Sequence, residues 1–267
     1  ASAESARKTS PSGMDRSHYL TIYTAAALAD LAAKLAKAKC TAVDTETTSL
    51  HVRDADLVGI SFAIGPGQAW YLPVGHQHDL FQEKQLSLHD VRAALGPWFA
   101  DPSRPKCGQH VKFDYNILRQ AGFEVRGIVA DSMLLSYLIS PDRDEAGGHN
   151  LDDLARKWLG HEMIPYQSVT GTGKHAITFD RVAIDKATEY SAEDADAAWR
   201  LCERLSREAS ATEAQRLHDE LELPLSRVLA DMEFTGIRVD VDFLHTLEAD
   251  LAQQLDLVLN AIRTTAG

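Results

Sequence analysis

The amino-acid sequence predicts an α/β fold: a mixed β-sheet flanked by helices, followed by a short all-α segment. Three observations predict it. Short apolar runs closed by turn residues, such as Leu57-Val58-Gly59-Ile60-Ser61-Phe62-Ala63-Ile64, have the length and composition of strands. From residue 112 onward the apolar residues recur at helical spacing instead. The order is three strands, a helix, then strand–helix–strand, the alternation from which helix-covered sheets are built.

Each element follows from its local chemistry. Residues 1–17, rich in Ser, Ala and charge and containing Pro11-Ser12-Gly13, read as a linker or disordered arm. Thr24 caps a helix that carries Leu28, Leu31 and Leu35 on one face. Strands are expected at 40–46, 57–64 and 68–73, the last two joined through a hairpin turn at Gly65-Pro66-Gly67. A helix at 88–99 leads to a strand at 105–109. Helices are expected at 112–121, 131–139, 150–159 and 180–207, with a short strand at Ile128-Val129-Ala130 and a loop at Gly147-Gly148. Residues 209–234 form another helix, which Pro224 should kink and Gly236 should end. A final amphipathic helix spans 241–263. Its Leu244, Leu247, Leu251, Leu255 and Leu259 are expected to pack on a neighbouring helix.

At 267 residues and 45% apolar content, the chain can fill one large core or two small ones. No apolar run reaches the ~18 residues of a membrane span, and no secretory signal is recognisable. Cys40, Cys107 and Cys202 are scattered without CxxC spacing and read as buried, reduced thiols of a cytosolic protein. The net charge is −12. Residues 209–267 hold 11 acids and 4 bases, so −7 falls there and −5 on the rest. That balance argues against tight non-specific duplex binding, but not against transient gripping of a single-stranded end.

The chemistry concentrates in Asp44-Thr45-Glu46-Thr47, at the end of an apolar run. On a strand, Asp44 and Glu46 point to the same face. Two unpaired acids at a buried strand end are costly, and a metal ion is the natural compensation. Asp114, in Lys112-Phe113-Asp114-Tyr115-Asn116, and Asp194, in Tyr190-Ser191-Ala192-Glu193-Asp194-Ala195-Asp196, could complete the set. Tyr190 and Asp194 share a helix face at spacing four, which selects Asp194 over Glu193 and Asp196 and leaves Asp196 solvated or in a supporting role. Four hard carboxylates suit Mg²⁺ or Mn²⁺ rather than a structural zinc, and two such ions would clamp both oxygens of a phosphodiester. Plainer readings stand beside these. The strand end could be solvated, Asp114 could cap a helix, and Tyr190 could pack in the core with its hydroxyl at the rim. Gly171-Thr172-Gly173-Lys174 lacks the flanking residues of a P-loop and reads as a solvated loop, and the eleven histidines show no metal spacing.

Three motifs in order resemble the tyrosine-bearing subgroup of the DEDD 3′–5′ exonucleases, and more narrowly the proofreading exonuclease region of bacterial DNA polymerase I. They are Val43-Asp44-Thr45-Glu46-Thr47-Thr48-Ser49-Leu50, Gly108-Gln109-His110-Val111-Lys112-Phe113-Asp114, and the segment from Tyr190 to Asp196. Connecting text matches at Leu151–Leu159 and Gly171–Lys174. Glu222-Leu223-Pro224-Leu225 through Gly236-Ile237-Arg238-Val239-Asp240 resembles the opening of a family A polymerase domain. The resemblance runs from about residue 18 to the end. It departs at His110, where the family usually has Asn, which reads as an altered strand contact rather than lost chemistry.

The resemblance implies a ribonuclease-H-like sheet, an exonuclease domain at 18–208 and the helical start of a polymerase domain at 209–267. It implies that Asp44, Glu46 and Asp194 hold one divalent ion and that Asp44 and Asp114 serve a second. Mg²⁺ or Mn²⁺ is expected, with Zn²⁺ possible at one site. Tyr190 would orient the attacking water, while Leu50, Gln109, His110 and Tyr166 would hold the terminal nucleotides. The implied partners are a single-stranded or frayed 3′ end of DNA and the remainder of a polymerase, in a monomeric, nucleoid-associated protein of the bacterial cytoplasm. Primer extension is not expected from this chain. An RNA-trimming exonuclease of the ribonuclease D kind shares the metal site, but the polymerase-like segment counts against it. A silent DNA-holding domain is opposed by the presence of all four acids and the tyrosine.

Overall fold

The computed structural model describes residues 14–77, 85–141 and 148–267. Most of the expected arm at 1–17, and Gly147, lie outside them. Six strands form one mixed sheet: β1 (Leu20–Thr21), β2 (Thr41–Thr47), β3 (Leu57–Gly65), β4 (Gln68–Pro73), β5 (Lys106–Gly108) and β6 (Ile128–Asp131). Their order across the sheet is β1-β4-β3-β2-β5-β6. β2, β3 and β4 are an antiparallel meander, with Asp44 opposite Ser61 and Glu46 opposite Gly59. β5 runs parallel to β2, β6 parallel to β5, and β1 parallel to β4. β1 is not anticipated by the sequence, because two residues carry no alternation to read.

The helices are α1 (Ala25–Leu35), α2 (Leu88–Ala100), α3 (Val111–Gln120), α4 (Ser132–Ile139), α5 (Leu151–Leu154, widening into a π-type turn at Ala155–Leu159) and α6 (Tyr166–Thr170). The long α7 (Ile184–Ser210) follows, then α8 (Ala214–Leu217), α9 (Leu223–Thr235) and α10 (Val241–Ala266). Thr24 caps α1 as expected, its hydroxyl accepting from Ala27 N–H at 3.2 Å. The expected helix at 209–234 is interrupted after α7. Its distortion is a π-type turn at His218–Glu222, two residues before Pro224, whose ring nitrogen has no N–H to give the ladder.

The two faces of the sheet have different cores. Val43, Ile60, Phe62 and Leu72 point toward α1, α2 and α3 and meet Trp98, Phe99 and Leu118. Ala42, Ala63, Ala69 and Cys107 point the other way, toward Ala192, Ala195 and Ala198 of α7. Small side chains on both surfaces let α7 lie close to the strands, which carries its functional groups to the end of β2. Gly59 plays a similar part inside the sheet, since a Cβ there would meet the buried ring of Tyr71.

The chain forms two compact units, one up to Phe234 and one from Thr235. Taken by itself, the second is the amphipathic helix α10, capped by the Asp240 side chain, with its leucine stripe covered by nothing of its own unit. No helix among the described residues is long and apolar enough to cross a membrane.

Candidate active site

Alternation along β2 decides the layout of the site. Asp44 and Glu46 share the face of Ala42 and so look toward α7, while Val43 and Thr45 look toward α3. Asp194, on α7, meets the two strand acids. Asp44, Glu46 and Asp194 each offer an oxygen within 4.8 Å of the others, the one such group among the described residues. Asp114 arrives from α3, across the strand. It receives the Thr45 hydroxyl at 2.6 Å and stands outside that group. All nine sequence-predicted site residues, namely Asp44, Glu46, Leu50, Gln109, His110, Asp114, Tyr166, Tyr190 and Asp194, line one cleft of about 550 Å³.

Each of the four acids receives one neutral hydroxyl. Ser61 donates to Asp44 at 3.4 Å, Ser191 to Glu46 at 2.7 Å, Thr45 to Asp114, and Tyr190 to Asp194. Among the described residues no lysine, arginine or histidine pairs with any of them. Burial therefore pushes the Asp44 carboxyl up to about 7. Burial and the Asp44 charge push Glu46 up to about 8. Burial, followed by the neighbouring acids, holds Asp114 and Asp194 well above the carboxylate range. The Tyr190 hydroxyl is raised for the same reasons, so it remains protonated and able to donate.

The surrounding residues shape the rest of the cleft. Leu50 is 88% exposed at the mouth, an unusual exposure for leucine. Tyr166 is half exposed, stacks on Phe179 (centroids 6.1 Å, planes 15° apart) and meets Tyr190 edge-on at 5.9 Å. Gln109 is already engaged, donating to His149 O at 2.8 Å and accepting from the Ser132 hydroxyl at 2.5 Å. His110 is exposed and left-handed, at φ 54° and ψ 46°. Its N–H and that of Val111 both donate to Asp131 at 3.0 Å, which fixes the start of α3 and hence Asp114. The left-handed backbone gives a physical reason for the Asn usual in the resembling family, since Asn and His tolerate that region better than most residues.

Sequence reasoning missed Thr45, Ser61, Ser191, Phe179 and Asp131. Thr45 and Ser191 carried a usable signal, because each neighbours a proposed acid or Tyr190. Ser61 and Asp131 depend on strand pairing that no local pattern reveals. The structure also corrects the expectation of a solvated Asp196. It is fully buried, accepting from Tyr19 (2.8 Å), Gly67 N–H (3.0 Å) and Arg200 (2.8 Å). Glu193 is likewise buried against Arg16, His161 and Ile164 N–H. Among the three acids of the motif, only Asp194 faces the cleft.

Comparison with known proteins agrees with this geometry. A family model described as 3′–5′ exonuclease matches residues 19–210. The chain is 38% identical to DNA polymerase I of Pseudomonas aeruginosa over 225 residues, 83% of this chain and 24% of the relative. It is 40% identical to DNA polymerase I of Chloroflexus aurantiacus over 248 residues, 91% of this chain and 25% of the relative. The chain thus spans about a quarter of the length of the curated relatives it matches. Among solved structures, it is similar to the POL domain of Pol1 from M. smegmatis in complex with DNA primer-template and dNTP. The TM-score is 0.69 at 24% identity, over 91% of this chain and 36% of that one. Escherichia coli RNase D, an exoribonuclease, shares the fold with a TM-score of 0.59 at 17% identity, over 80% of this chain and 51% of that one. The fold is therefore the ribonuclease-H-like exonuclease fold, as the motif order implied.

Proposed function

The chain belongs to the 3′–5′ exonuclease family whose model spans residues 19–210, and on that premise we propose that it hydrolyses the last phosphodiester at a 3′ end of DNA, releasing a nucleoside monophosphate. The observation that carries this reading is the group Asp44, Glu46 and Asp194, two buried acids and one half-buried, with no protein cation beside them. An all-oxygen site of that charge fits Mg²⁺ or Mn²⁺, with Zn²⁺ a possible occupant of one position. When bound, two such ions supply the Lewis acidity that activates water and stabilises the leaving 3′ oxygen.

The chain's own residues do the positioning. Asp44, Glu46 and Asp194 would hold one ion, and Asp114, with Asp44, would serve a second. Tyr190 has committed its proton to Asp194, so its oxygen accepts a hydrogen bond from a water and turns that water's lone pair toward phosphorus. Leu50 and Tyr166 offer apolar and aromatic surface on which unpaired terminal bases can rest. Gln109 and His110 border the strand. A mismatched end frays more readily than a paired one, so it would reach the cleft more often. We assign 18–208 to this exonuclease and 209–267 to the helical start of a polymerase region. The curated relatives, DNA polymerases I, align past the end of the exonuclease match.

The test is digestion of 5′-labelled single-stranded DNA and of RNA of the same sequence with Mg²⁺ or Mn²⁺. DNA should shorten from its 3′ end, and EDTA should stop it. Asp44→Ala should slow it on the order of 10³-fold, the effect of losing several kcal/mol of transition-state stabilisation. Equal digestion by Asp44→Ala, or intact DNA beside digested RNA, would overturn the proposal.

A further inference from the structure

Cys40, Cys107 and Cys202 are distant in sequence but line one pocket of about 210 Å³, away from the cleft. Cys40 immediately precedes β2, Cys107 lies in β5, and Cys202 lies on α7. They form a row from the surface inward. Cys40 is half buried, while Cys107 and Cys202 are buried. The Cys107 thiol is within hydrogen-bonding reach of both others. Cys202 also donates to Gly108 O at 3.3 Å, and Trp199 Nε1 holds the Cys40 carbonyl at 3.2 Å. Among the described residues the only group of three ligands within 4.8 Å of one another is the acidic one. The thiols are thus a row of neighbouring pairs and not a ready chelate, which favours pairwise sulfur chemistry over a soft metal ion.

We propose that Cys40 and Cys107 are a peroxide-oxidisable pair that forms a disulfide joining the start of β2 to β5. Cys40 is the attacking sulfur, because it belongs to the least buried of the three cysteines. Its environment favours the thiolate. A hydrogen bond with Cys107 comes first; burial opposes it, but Thr41 N–H and the Lys106 ammonium add to it, and the thiol is held below its ordinary range. Cys107 is the more deeply buried of the two, and its thiol neighbours and burial push it well up. In the first step the Cys40 thiolate attacks the peroxide O–O bond. Sulfur is oxidised to the sulfenic acid, and the peroxide leaves as alkoxide or hydroxide. In the second step the Cys107 sulfur displaces that hydroxyl as water, and the S–S bond forms.

The pairing register shapes the product. Ala42 stands opposite Cys107 and Thr41 opposite Lys106, so Cys40 lies two residues off Cys107's partner. A disulfide needs its Cβ atoms about 3.5–4.5 Å apart, so the link draws the start of β2 along β5.

The experiment treats the whole chain with hydrogen peroxide, blocks remaining thiols with N-ethylmaleimide after denaturation, and maps the peptides by mass spectrometry. It needs no nuclease activity. The expected product is a Cys40–Cys107 linked peptide pair, lighter by two hydrogens and reversed by dithiothreitol, with Cys202 alkylated. Cys40→Ser should abolish the link, and Cys202→Ala should keep it. In Cys107→Ala the Cys40 sulfenic acid should accumulate and be captured by dimedone. A Cys107–Cys202 link, a Cys40 sulfinic acid beside an alkylatable Cys107, or three intact thiols in the folded wild-type chain would each overturn the proposal.

Discussion

Glu193 and Asp194 are neighbours on α7 and both are buried, yet their charges are treated in opposite ways. Glu193 receives Arg16, His161 and a backbone N–H. Asp196, two residues after Asp194, receives Tyr19, Arg200 and the Gly67 N–H. Asp194 and its companions Asp44 and Glu46 receive one hydroxyl each and no cation. The first arrangement is complete without anything from outside the chain. The second holds acids together with no cation partner, at a cost, and such a site is left open for an external positive charge. Composition does not distinguish the two, because both use the same residue types on the same helix. What distinguishes them is which face of α7 each residue occupies.

The largest effect should come from deleting one acid of each kind in EDTA. Glu193→Ala strands a partly buried arginine and a backbone donor, and should cost about 3–5 kcal/mol of unfolding free energy. Asp194→Ala removes a repulsive neighbour of Asp44 and Glu46, and should cost less than about 1 kcal/mol or stabilise the chain. Urea unfolding measures both, and equal costs would break the comparison. Mn²⁺ should then sharpen it by raising the melting temperature of the wild type and not of Asp194→Ala.

A smaller effect is the pH dependence of the metal-free chain. Folding raises Asp44 to about 7 and Glu46 to about 8, above an unfolded value of about 4. Each carboxyl therefore takes up a proton on folding. Its stabilising contribution is complete below pH ~4, shrinks as pH rises, and is gone above the folded-state values. The melting temperature in EDTA should fall between pH 5 and pH 8, and less steeply in the Asp44→Asn, Glu46→Gln double variant. Saturating Mn²⁺ should reverse the trend, because the ion competes with the protons. A melting temperature that rises across that window in EDTA would contradict the picture of acids with no cation partner.

Much of this contrast was legible in the sequence, and the rest was not, for reasons of range. The facing of Asp44 and Glu46 follows from a two-residue period, and the pairing of Tyr190 with Asp194 from a four-residue one. Both are local rules. Asp114 joined the set only through the order of the motifs, and the structure explains why, since it reaches the site from the opposite face of β2 through Thr45. The fates of Glu193 and Asp196 depend on Arg16, Tyr19 and Gly67, far away in the chain. The convergence of the three cysteines is equally non-local, as it requires β2, β5 and α7 to be assembled. Element boundaries were shifted mainly where the helix type changes, as at the π-type turn before Pro224.

The smallest effect concerns Asp131, a buried acid satisfied, like Glu193, by donors of the chain. Its carboxylate accepts from His110 and Val111 N–H at the start of α3 and from Met133 N–H at 2.9 Å in α4. Because these are backbone donors, any residue at position 110 preserves them, provided it can adopt φ 54°. His110→Asn should therefore change stability by less than about 0.5 kcal/mol, since both residues tolerate the left-handed region. His110→Val keeps the same N–H but places a branched Cβ in that region, and should cost about 1–2 kcal/mol. Urea unfolding separates backbone strain from side-chain loss, because both variants remove the imidazole and only one strains the turn. If the two variants unfold alike, the left-handed turn is not what constrains position 110, and the hold of Asp131 on α3 is looser than its hold on α4.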